Sequence, residues 1–199
     1  MLISIEGGEG AGKSTLIRSL CRLYKESGIN CLTTFEPGAT ALGSKLRSVV
    51  LNGKCKSPRS ELFLFLADRA EHVDTVIKPA LEKGSFVITD RFIHSTLCYQ
   101  SHVTSRKALL DMSLFATGGL FPDCTLYLDV DPKLGFERIK KRESLDSIER
   151  KGNAFHSEVR DQFLRCRNMW PDSFFVIDAS KSEQEVLQDA RAIIDGKAC

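Results

Sequence analysis

The feature that most constrains this chain is a glycine-rich segment near its start, Gly7-Gly8-Glu9-Gly10-Ala11-Gly12-Lys13-Ser14-Thr15. The segment fits the pattern G-x-x-x-x-G-K-[ST] and lies between a short apolar run and an amphipathic stretch. Its glycines let the backbone wrap around a phosphate with N–H groups pointing inward, and a following helix presents its positive end to the same anion. The order of strand, loop and helix makes a chance glycine-rich turn a poor alternative and predicts a nucleotide-binding P-loop.

Two side chains of this loop have predicted roles in the chemistry of the phosphates. Lys13 supplies a mobile positive charge for the β- and γ-phosphate oxygens, and Ser14 is expected to place its hydroxyl on Mg²⁺, a cation that prefers oxygen ligands. The other residues that we expect around the nucleotide are Gly7, Gly8, Glu9, Gly10, Ala11, Gly12 and Thr15. The predicted cofactors are therefore ATP and Mg²⁺.

Five short apolar runs have the length and composition of strands that are buried on both faces. They lie at Leu2–Glu6, Cys31–Phe35, Phe86–Thr89, Leu126–Val130 and Phe174–Ile177. Segments expected to be helical lie between and after them, at about 16–24, 46–51, 62–76, 132–140 and 186–194. This alternation predicts an α/β fold in which a five-stranded, mainly parallel sheet lies between two layers of helices.

Length and composition indicate a single domain. The 199 residues include 42% hydrophobic and 27% charged residues, which is ordinary for a globular protein, and the chain has no repeat or linker-like tract. We expect one domain over residues 1–199, with a helix interrupted at Lys78-Pro79. The net charge is only +2, so the chain lacks the basic field of a nucleic-acid-binding protein and any anion site must be local.

The remaining composition favours a soluble cytoplasmic protein with no membrane partner. The seven cysteines form no C-x-x-C pair, the start of the chain has no features of an export signal, and no apolar stretch is long enough to span a membrane. The four histidines, at positions 72, 94, 102 and 156, have no metal-ligand spacing, so zinc chemistry is not predicted. They are treated as ordinary helix and loop residues.

The third predicted strand leads into two charged residues, Asp90 and Arg91. The carboxyl edge of a parallel sheet is where such folds bind ligands, which places both side chains beside the P-loop. Asp90 is expected either to hold Mg²⁺ through water or to act on the acceptor, and the planar fork of Arg91 suits a phosphate. The alternative is a simple surface ion pair.

Two further groups of residues suit a nucleobase. Phe65 and Arg69 lie four residues apart, so they share one helix face and combine an aromatic plate with a hydrogen-bond donor. Thr96, Tyr99 and Gln100 form a polar and aromatic edge at helical spacing. Without the P-loop, the first group would be interpreted as core, and the second equally well as an exposed amphipathic helix.

Read in order, five segments resemble those of bacterial thymidylate kinases: IEGGEGAGKST, EPGATALGSKLR, ELFLFLADRAEH, VITDRFIHSTLCYQ and FATGGLFPDCTLYLDV. The resemblance covers nearly the whole chain. It implies the P-loop kinase fold, a homodimer, and transfer of the γ-phosphoryl group of Mg-ATP to dTMP, which yields dTDP and ADP.

The resemblance also implies roles for individual residues. Phe65 would stack on thymine, Arg69 and Thr96 would hydrogen-bond its edge with Gln100 nearby, and Tyr99 would crowd the 2′ position. The residues expected around the acceptor sugar and phosphate are Glu9, Glu36, Arg47 and Arg91. The catalytic set is Glu9, Lys13, Asp90, Arg91 and Arg142.

A basic segment at about 138–152 resembles the mobile lid of the family, with Arg142 as the expected lid residue. The alternative is a solvated, charged helix end. Ser147 stands where many family members have an arginine, and Phe35 replaces another arginine that often precedes the Glu-Pro-Gly motif.

Two other functions remain open at this point. One is a kinase for another nucleoside monophosphate, and the other is a P-loop ATPase or switch protein. The chain has no N-K-x-D guanine motif, which disfavours a GTPase switch.

Overall fold

Five parallel strands form the central sheet in the computed structural model, which describes residues 1–140 and 146–198. The strands are β1 (Leu2–Gly7), β2 (Cys31–Phe35), β3 (Phe86–Asp90), β4 (Cys124–Asp129) and β5 (Phe174–Asp178). Their order in the sheet is β2-β3-β1-β4-β5, and every neighbouring pair is parallel. The predicted parallel sheet is confirmed, with β4 starting two residues before the predicted run and ending one residue before its end.

Helices precede or follow each strand in the described part of the chain. They are α1 (Lys13–Glu26), α2 (Ala41–Leu51), α3 (Pro58–His72), α4 (Lys78–Glu82), α5 (Ile93–Tyr99), α6 (Arg106–Thr117), α7 (Pro132–Ile139), α8 (Asn153–Met169) and α9 (Glu183–Ala198). Two of them, α6 and α8, have no counterpart among the predicted segments. None of the described helices combines the length and the hydropathy that a membrane span requires.

The two faces of the sheet bury alternate residues of the same strands. Ile3 pairs in register with Ile88, and both join the core beneath α1 and α9. Leu2 pairs with Val87, and both join the core beneath α3, α5 and α6. Because successive side chains of a strand point to opposite faces, strands that are buried on both sides are continuously apolar. The three-layer α/β/α arrangement is therefore confirmed.

The helix that was expected to be interrupted at Lys78-Pro79 changes from an α-helix to a π-helix before it reaches these residues. Between α3 and α4 the chain forms a π-helical turn at Val73–Ile77. Proline lacks a backbone N–H, and its ring clashes with the carbonyl four residues before it, which is Thr75 here. Widening of the turn accommodates Pro79 while the chain continues as a helix.

Candidate active site

A cavity of about 800 Å³ opens at the carboxyl edge of the sheet, beside the start of α1. Of the residues predicted for the site, it is lined by Glu9, Gly10, Ala11, Gly12, Lys13, Ser14, Thr15, Glu36, Arg47, Phe65, Arg69, Asp90, Arg91, Thr96, Tyr99 and Gln100. Gly7 and Gly8 do not line the cavity, and Arg142 lies outside the described residues. Residues that are separated by almost half the length of the chain therefore line one cavity.

The P-loop curls around the ammonium group of its own lysine. Lys13 Nζ donates to the carbonyl oxygens of Gly7 at 3.2 Å and Gly8 at 3.0 Å. Burial and the nearby charge of Arg91 lower the pKa of Lys13. An anion between the loop and the lysine would restore that charge balance, so the loop suits a phosphate.

The tip of the P-loop packs directly against α7. Gly10 has a φ of +68°, and a Cβ at this position would collide with the carbonyl of Gly135. A Cβ on Gly135 would in turn collide with the carbonyl of Glu9. The two backbones can approach this closely only because both positions are glycine, and this contact fixes the P-loop against α7. The need for a glycine at position 135 is not apparent from the sequence pattern.

Arg91 occupies the centre of the cavity with a backbone conformation that is rare for a residue with a side chain, at φ +71°. Its Nη2 donates to Glu9 Oε1 at 2.8 Å, its Nη1 donates to the Gly7 carbonyl at 3.2 Å, and its guanidinium lies 4.9 Å from the ring centre of Tyr99. Burial disfavours its charge, but Tyr99, Glu9 and Asp90 outweigh that effect and raise the pKa of Arg91. The guanidinium is therefore a permanent cation between the P-loop and α5.

A buried carboxylate supports this strained turn. Glu6 Oε1 accepts from the Phe92 backbone N–H at 2.8 Å, and Glu6 Oε2 accepts from Ser95 Oγ at 2.6 Å. The same Ser95 hydroxyl oxygen accepts from Arg91 Nη1 at 3.3 Å. Burial raises the pKa of Glu6, although these donors and the charge of Arg91 oppose the shift. Glu6 thus holds in place the residues that directly follow Arg91.

Arg69 is fixed at the far end of the cavity by three hydrogen bonds. Its Nε donates to Glu36 Oε2, its Nη1 donates to Thr96 Oγ1, and its Nη2 donates to the Phe92 carbonyl, each at 2.8 Å. Phe65, one turn earlier on α3, is half-buried and lines the same cavity. A flat group entering here would meet an aromatic ring and a rigid hydrogen-bond donor.

The edge formed by α5 is buried, so it is not the exposed amphipathic helix that the sequence also allowed. Thr96 is 2% exposed, Tyr99 5% and Gln100 3%. The Tyr99 hydroxyl is buried and has no hydrogen-bond partner among the described residues. α5 therefore forms one wall of the cavity beside Arg69.

Asp68 links α3 to the loop that follows β2. Its Oδ1 accepts from the Gly38 backbone N–H at 3.0 Å, while Oδ2 is buried without a partner among the described residues. Burial and the nearby Glu36 carboxylate raise the pKa of Asp68 to about 6, although the Gly38 N–H, His72 and Arg69 oppose the shift. The same loop provides the carbonyl of Pro37, which accepts from Arg47 Nη1 at 2.7 Å.

Phe35 occupies the position where the family often has an arginine. The Arg47 guanidinium lies 5.8 Å from the ring centre of Phe35, and both residues line the cavity. The ring is 44% exposed, so it forms part of the open rim. Phe35 thus places an aromatic ring beside the Arg47 guanidinium.

Asp90 and Ser14, the two residues predicted to hold Mg²⁺, both line the cavity. Asp90 Oδ1 is buried and lacks a hydrogen-bond partner among the described residues, and Ser14 is exposed at the start of α1 in the same cavity. Residues 1–140 and 146–198 contain no cluster of three metal-ligating side chains. A hard cation held mainly by phosphate oxygens and water, with one or two protein oxygens, suits this sparse donor set.

The described parts of the predicted lid contact both sides of the cavity. Arg138 Nη1 donates to the Ala179 carbonyl at 2.8 Å, near the start of α9. Beyond the undescribed residues, the Ser147 hydroxyl donates to the Val50 carbonyl at 3.0 Å, and its N–H donates to the Leu51 carbonyl at 3.0 Å. Ser147 therefore bonds to the end of α2 at the cavity rim.

Comparison with known proteins agrees with this geometry. The family model for thymidylate kinase matches residues 5–190. The chain belongs to the thymidylate kinase family. The thymidylate kinase of Carboxydothermus hydrogenoformans is 41% identical to it, over 98% of this chain and 96% of that protein. The thymidylate kinase of Thermosipho africanus is 38% identical over 98% of both chains.

A solved structure gives the same result at the level of the fold. The crystal structure of thymidylate kinase from Ehrlichia chaffeensis superposes with a TM-score of 0.79 at 28% identity, covering 98% of each chain. This match confirms the P-loop kinase fold, and the family match confirms the resemblance that the sequence motifs carried. This member of the thymidylate kinase family therefore has the family's architecture over almost its whole length.

Several polar residues of the site were not singled out from the sequence. They are Glu6, Asp68, His72 and Ser95. Glu6 ends an apolar run and Ser95 lies in a mixed helix, so neither departs from the pattern of its segment. The only indication in the sequence was Glu6 itself, a charged residue at a strand position that should be buried.

The approach of α7 to the P-loop leads to the first prediction. The Gly135→Ala substitution adds a methyl group against the Glu9 carbonyl, and we expect it to lower the free energy of unfolding by about 1–3 kcal/mol. Because the collision displaces the P-loop, KM for ATP should rise several-fold. Gly196→Ala is the control, since a Cβ there meets nothing within 4 Å. Equal urea-unfolding curves and equal KM values for the two variants would contradict the prediction.

The second prediction concerns Asp68 and pH. Burial raises the pKa of this carboxyl from 3.8 to about 6, so between these values the folded protein binds the proton more tightly than the unfolded chain. Stability relative to the Asp68→Asn variant should therefore fall as pH rises from about 4 to 6, by about 2 kcal/mol. Urea unfolding of both proteins across this range measures the difference. Parallel stability curves would show that Asp68 titrates normally.

Proposed function

We propose that this chain transfers the γ-phosphoryl group of Mg-ATP to dTMP and releases dTDP and ADP, a step in the supply of DNA precursors. The observation that carries the proposal is the continuity of one cavity. It runs from the P-loop at Lys13, past the cation Arg91, to the donor Arg69 beside Phe65. These are the requirements of a reaction that brings a nucleoside triphosphate and a nucleoside monophosphate together. The two relatives described above are both named thymidylate kinase.

The acceptor base fits the Arg69 end of the cavity. Phe65 offers an aromatic face for stacking, and Arg69 can only donate hydrogen bonds, so it selects a base with an oxygen at its edge. Thymine has such an oxygen, and Thr96 and Gln100 lie on the adjacent wall. Tyr99 crowds the position of a 2′-hydroxyl and so favours a deoxyribonucleotide.

The reacting phosphates fit the centre of the cavity. Phosphoryl transfer passes through a loose transition state, so the protein has to align the two substrates and neutralise charge, without a covalent enzyme intermediate. Lys13 faces the donor phosphates, Arg91 lies between donor and acceptor, and Arg47 is available for the acceptor phosphate at the rim. Glu9 holds Arg91 at 2.8 Å and lies close to the acceptor sugar in this arrangement.

Mg²⁺ would be held by the Ser14 hydroxyl and, directly or through water, by Asp90. When bound, the cation neutralises phosphate charge and fixes the geometry of the phosphate chain. The residues of the chain then need only orient the acceptor oxygen in line with the γ-phosphorus and exclude water from it.

We further propose that residues 1–199 are one domain with a lid at about 138–152. The contacts of Arg138 with the Ala179 carbonyl and of Ser147 with the end of α2 support it, because they span the cavity mouth. In this arrangement Arg142 would contribute a cation to the transferring group, and closure would favour transfer over hydrolysis.

A homodimer in the cytoplasm completes the proposal. Phe63 on α3 is 59% exposed and Phe115 on α6 is 90% exposed, and these two helices pack against each other. Large exposed apolar side chains mark an interaction surface more often than chance. The described cysteines are free, which is usual in a reducing compartment.

The third prediction is a panel of acceptors. Purified protein with Mg-ATP should release ADP slowly alone, fast with dTMP, less fast with dUMP, and hardly at all with UMP, CMP, GMP or AMP. The measurement is ADP release in a coupled assay, followed by identification of the nucleotide product. ADP release that does not need an acceptor would favour an ATPase, and a preference for another monophosphate would favour a different kinase.

The fourth prediction concerns the oligomer. The chain should sediment as a dimer, and the double substitution Phe63→Ser and Phe115→Ser should shift it to the monomer, because the change removes apolar area from the association surface. Met169→Ser, at another exposed apolar side chain, is the control and should remain dimeric. A monomeric unsubstituted protein, or a dimeric double variant, would refute this interface.

A further inference from the structure

A line of four buried polar side chains runs from β2 to Arg69. Thr34 Oγ1 lies 2.6 Å from His72 Nε2, and His72 Nδ1 lies 2.9 Å from Glu36 Oε1. The other oxygen of Glu36 accepts from Arg69 Nε at 2.8 Å. Thr34 is 8% exposed, His72 0%, Glu36 6% and Arg69 3%. Only Arg69 and Glu36 of these four residues line the cavity.

The chemistry of the Glu36 carboxylate defines the direction of its hydrogen bonds. A carboxylate only accepts, so His72 Nδ1–H donates to Glu36. His72 Nε2 pairs with the Thr34 hydroxyl, which can donate or accept, so both ring nitrogens have a partner. Each oxygen of Glu36 has one donor among the described residues, His72 for Oε1 and Arg69 for Oε2. The carboxylate is thus held on both sides.

The Glu36 contact determines the orientation of the Arg69 guanidinium. Three of its five N–H groups are engaged, by Glu36, Thr96 and Phe92, and the guanidinium is planar, so these contacts fix its plane. The Arg69 group also lies 5.4 Å from the ring centre of Phe92. A carboxylate that could swing about its side-chain bonds would let this plane tilt. A donor on Oε1 prevents the swing.

We propose that His72 is a positioning residue that sets the specificity for the acceptor base by locking Glu36 and, through it, Arg69. The inference rests on the proposed function, because it concerns the base that Arg69 faces. His72 does not line the cavity, so it acts only through Glu36. Nothing in the spacing of the sequence connects position 72 with position 36, so the sequence alone predicts only an ordinary helix residue at His72.

The chemistry of the base explains why a fixed Arg69 gives specificity. Thymine presents an oxygen acceptor at the position where cytosine presents an amino donor, and an arginine can only donate. When a rigid guanidinium faces the amino group of cytosine, two hydrogen-bond donors oppose each other. Both groups lose their hydrogen bonds to water and gain none in return. A guanidinium that can tilt away avoids this conflict and discriminates less.

The fifth prediction separates this role from a general effect on folding. In His72→Leu, which removes both ring nitrogens, KM for dTMP should rise about tenfold, as expected for loss of one hydrogen bond to a charged group. The ratio of kcat/KM for dTMP to that for dCMP should fall by a similar factor. KM for ATP should remain within about twofold, because the P-loop does not contact this line of residues.

Two further variants make the test specific. His72→Asn places an amide near the position of Nδ1, keeps a donor for Glu36, and should recover most of the affinity and discrimination. Thr34→Val removes only the hydroxyl at Nε2, preserves the side-chain shape, and should give an intermediate effect. His102→Gln, at an exposed histidine, is the control and should match the unsubstituted protein. Thermal unfolding of every variant, with and without dTMP, records whether the fold is retained.

The possible outcomes are distinct. A folded His72→Leu variant with unchanged KM for dTMP and unchanged discrimination against dCMP overturns the inference. The inference is also overturned if KM for dTMP and KM for ATP rise equally, in proportion to the loss of stability. If His72→Leu does not fold, Thr34→Val and His72→Asn decide by the same two quantities. Failure of the unsubstituted protein to phosphorylate dTMP would instead refute the proposed function.

Discussion

The buried carboxylate of Glu6 is the constraint on which the site depends. It lies at the end of the central strand, just before the P-loop, and accepts hydrogen bonds from the Phe92 backbone and the Ser95 hydroxyl. These bonds hold the sharp turn that leaves β3, in which Arg91 adopts a left-handed conformation. Burial of a charge is costly unless donors surround it, so the carboxylate is stable only when the turn is formed. One carboxylate therefore holds the turn that carries the central cation, Arg91.

A second buried charge organises the other end of the cavity in the same way. Glu36 pairs with Arg69 and His72, and all three are almost completely removed from solvent. Pairs of this kind contribute little net stability, but they allow few alternative arrangements. The cavity thus contains two rigid cations, Arg91 and Arg69, which are paired with the carboxylates of Glu9 and Glu36. Such preorganisation favours one orientation of the acceptor.

Much of the fold and part of the site follow from the sequence. The continuous apolar runs predict strands that are buried on both faces, and the P-loop pattern locates the phosphate end without reference to any other residue. The helices α6 and α8 were missed, because polar residues occupy several of their buried positions, Ser113 and Thr117 on α6 and His156 and Gln162 on α8. The role of Gly135 and the connection of His72 to Glu36 could not be predicted, because each depends on a contact between segments that are remote in the chain.

The sequence by itself determined the parallel sheet, the phosphate-binding loop and the family, because each is encoded by neighbouring residues with a fixed spacing. Only the tertiary structure decided how the acceptor end is built. The side chains of Glu36, Arg69 and Thr96 come from three different elements, and their hydrogen bonds form only after the sheet and helices have packed. Local spacing specifies local backbone geometry, whereas the direction of a buried hydrogen bond is set by the packing of the whole domain.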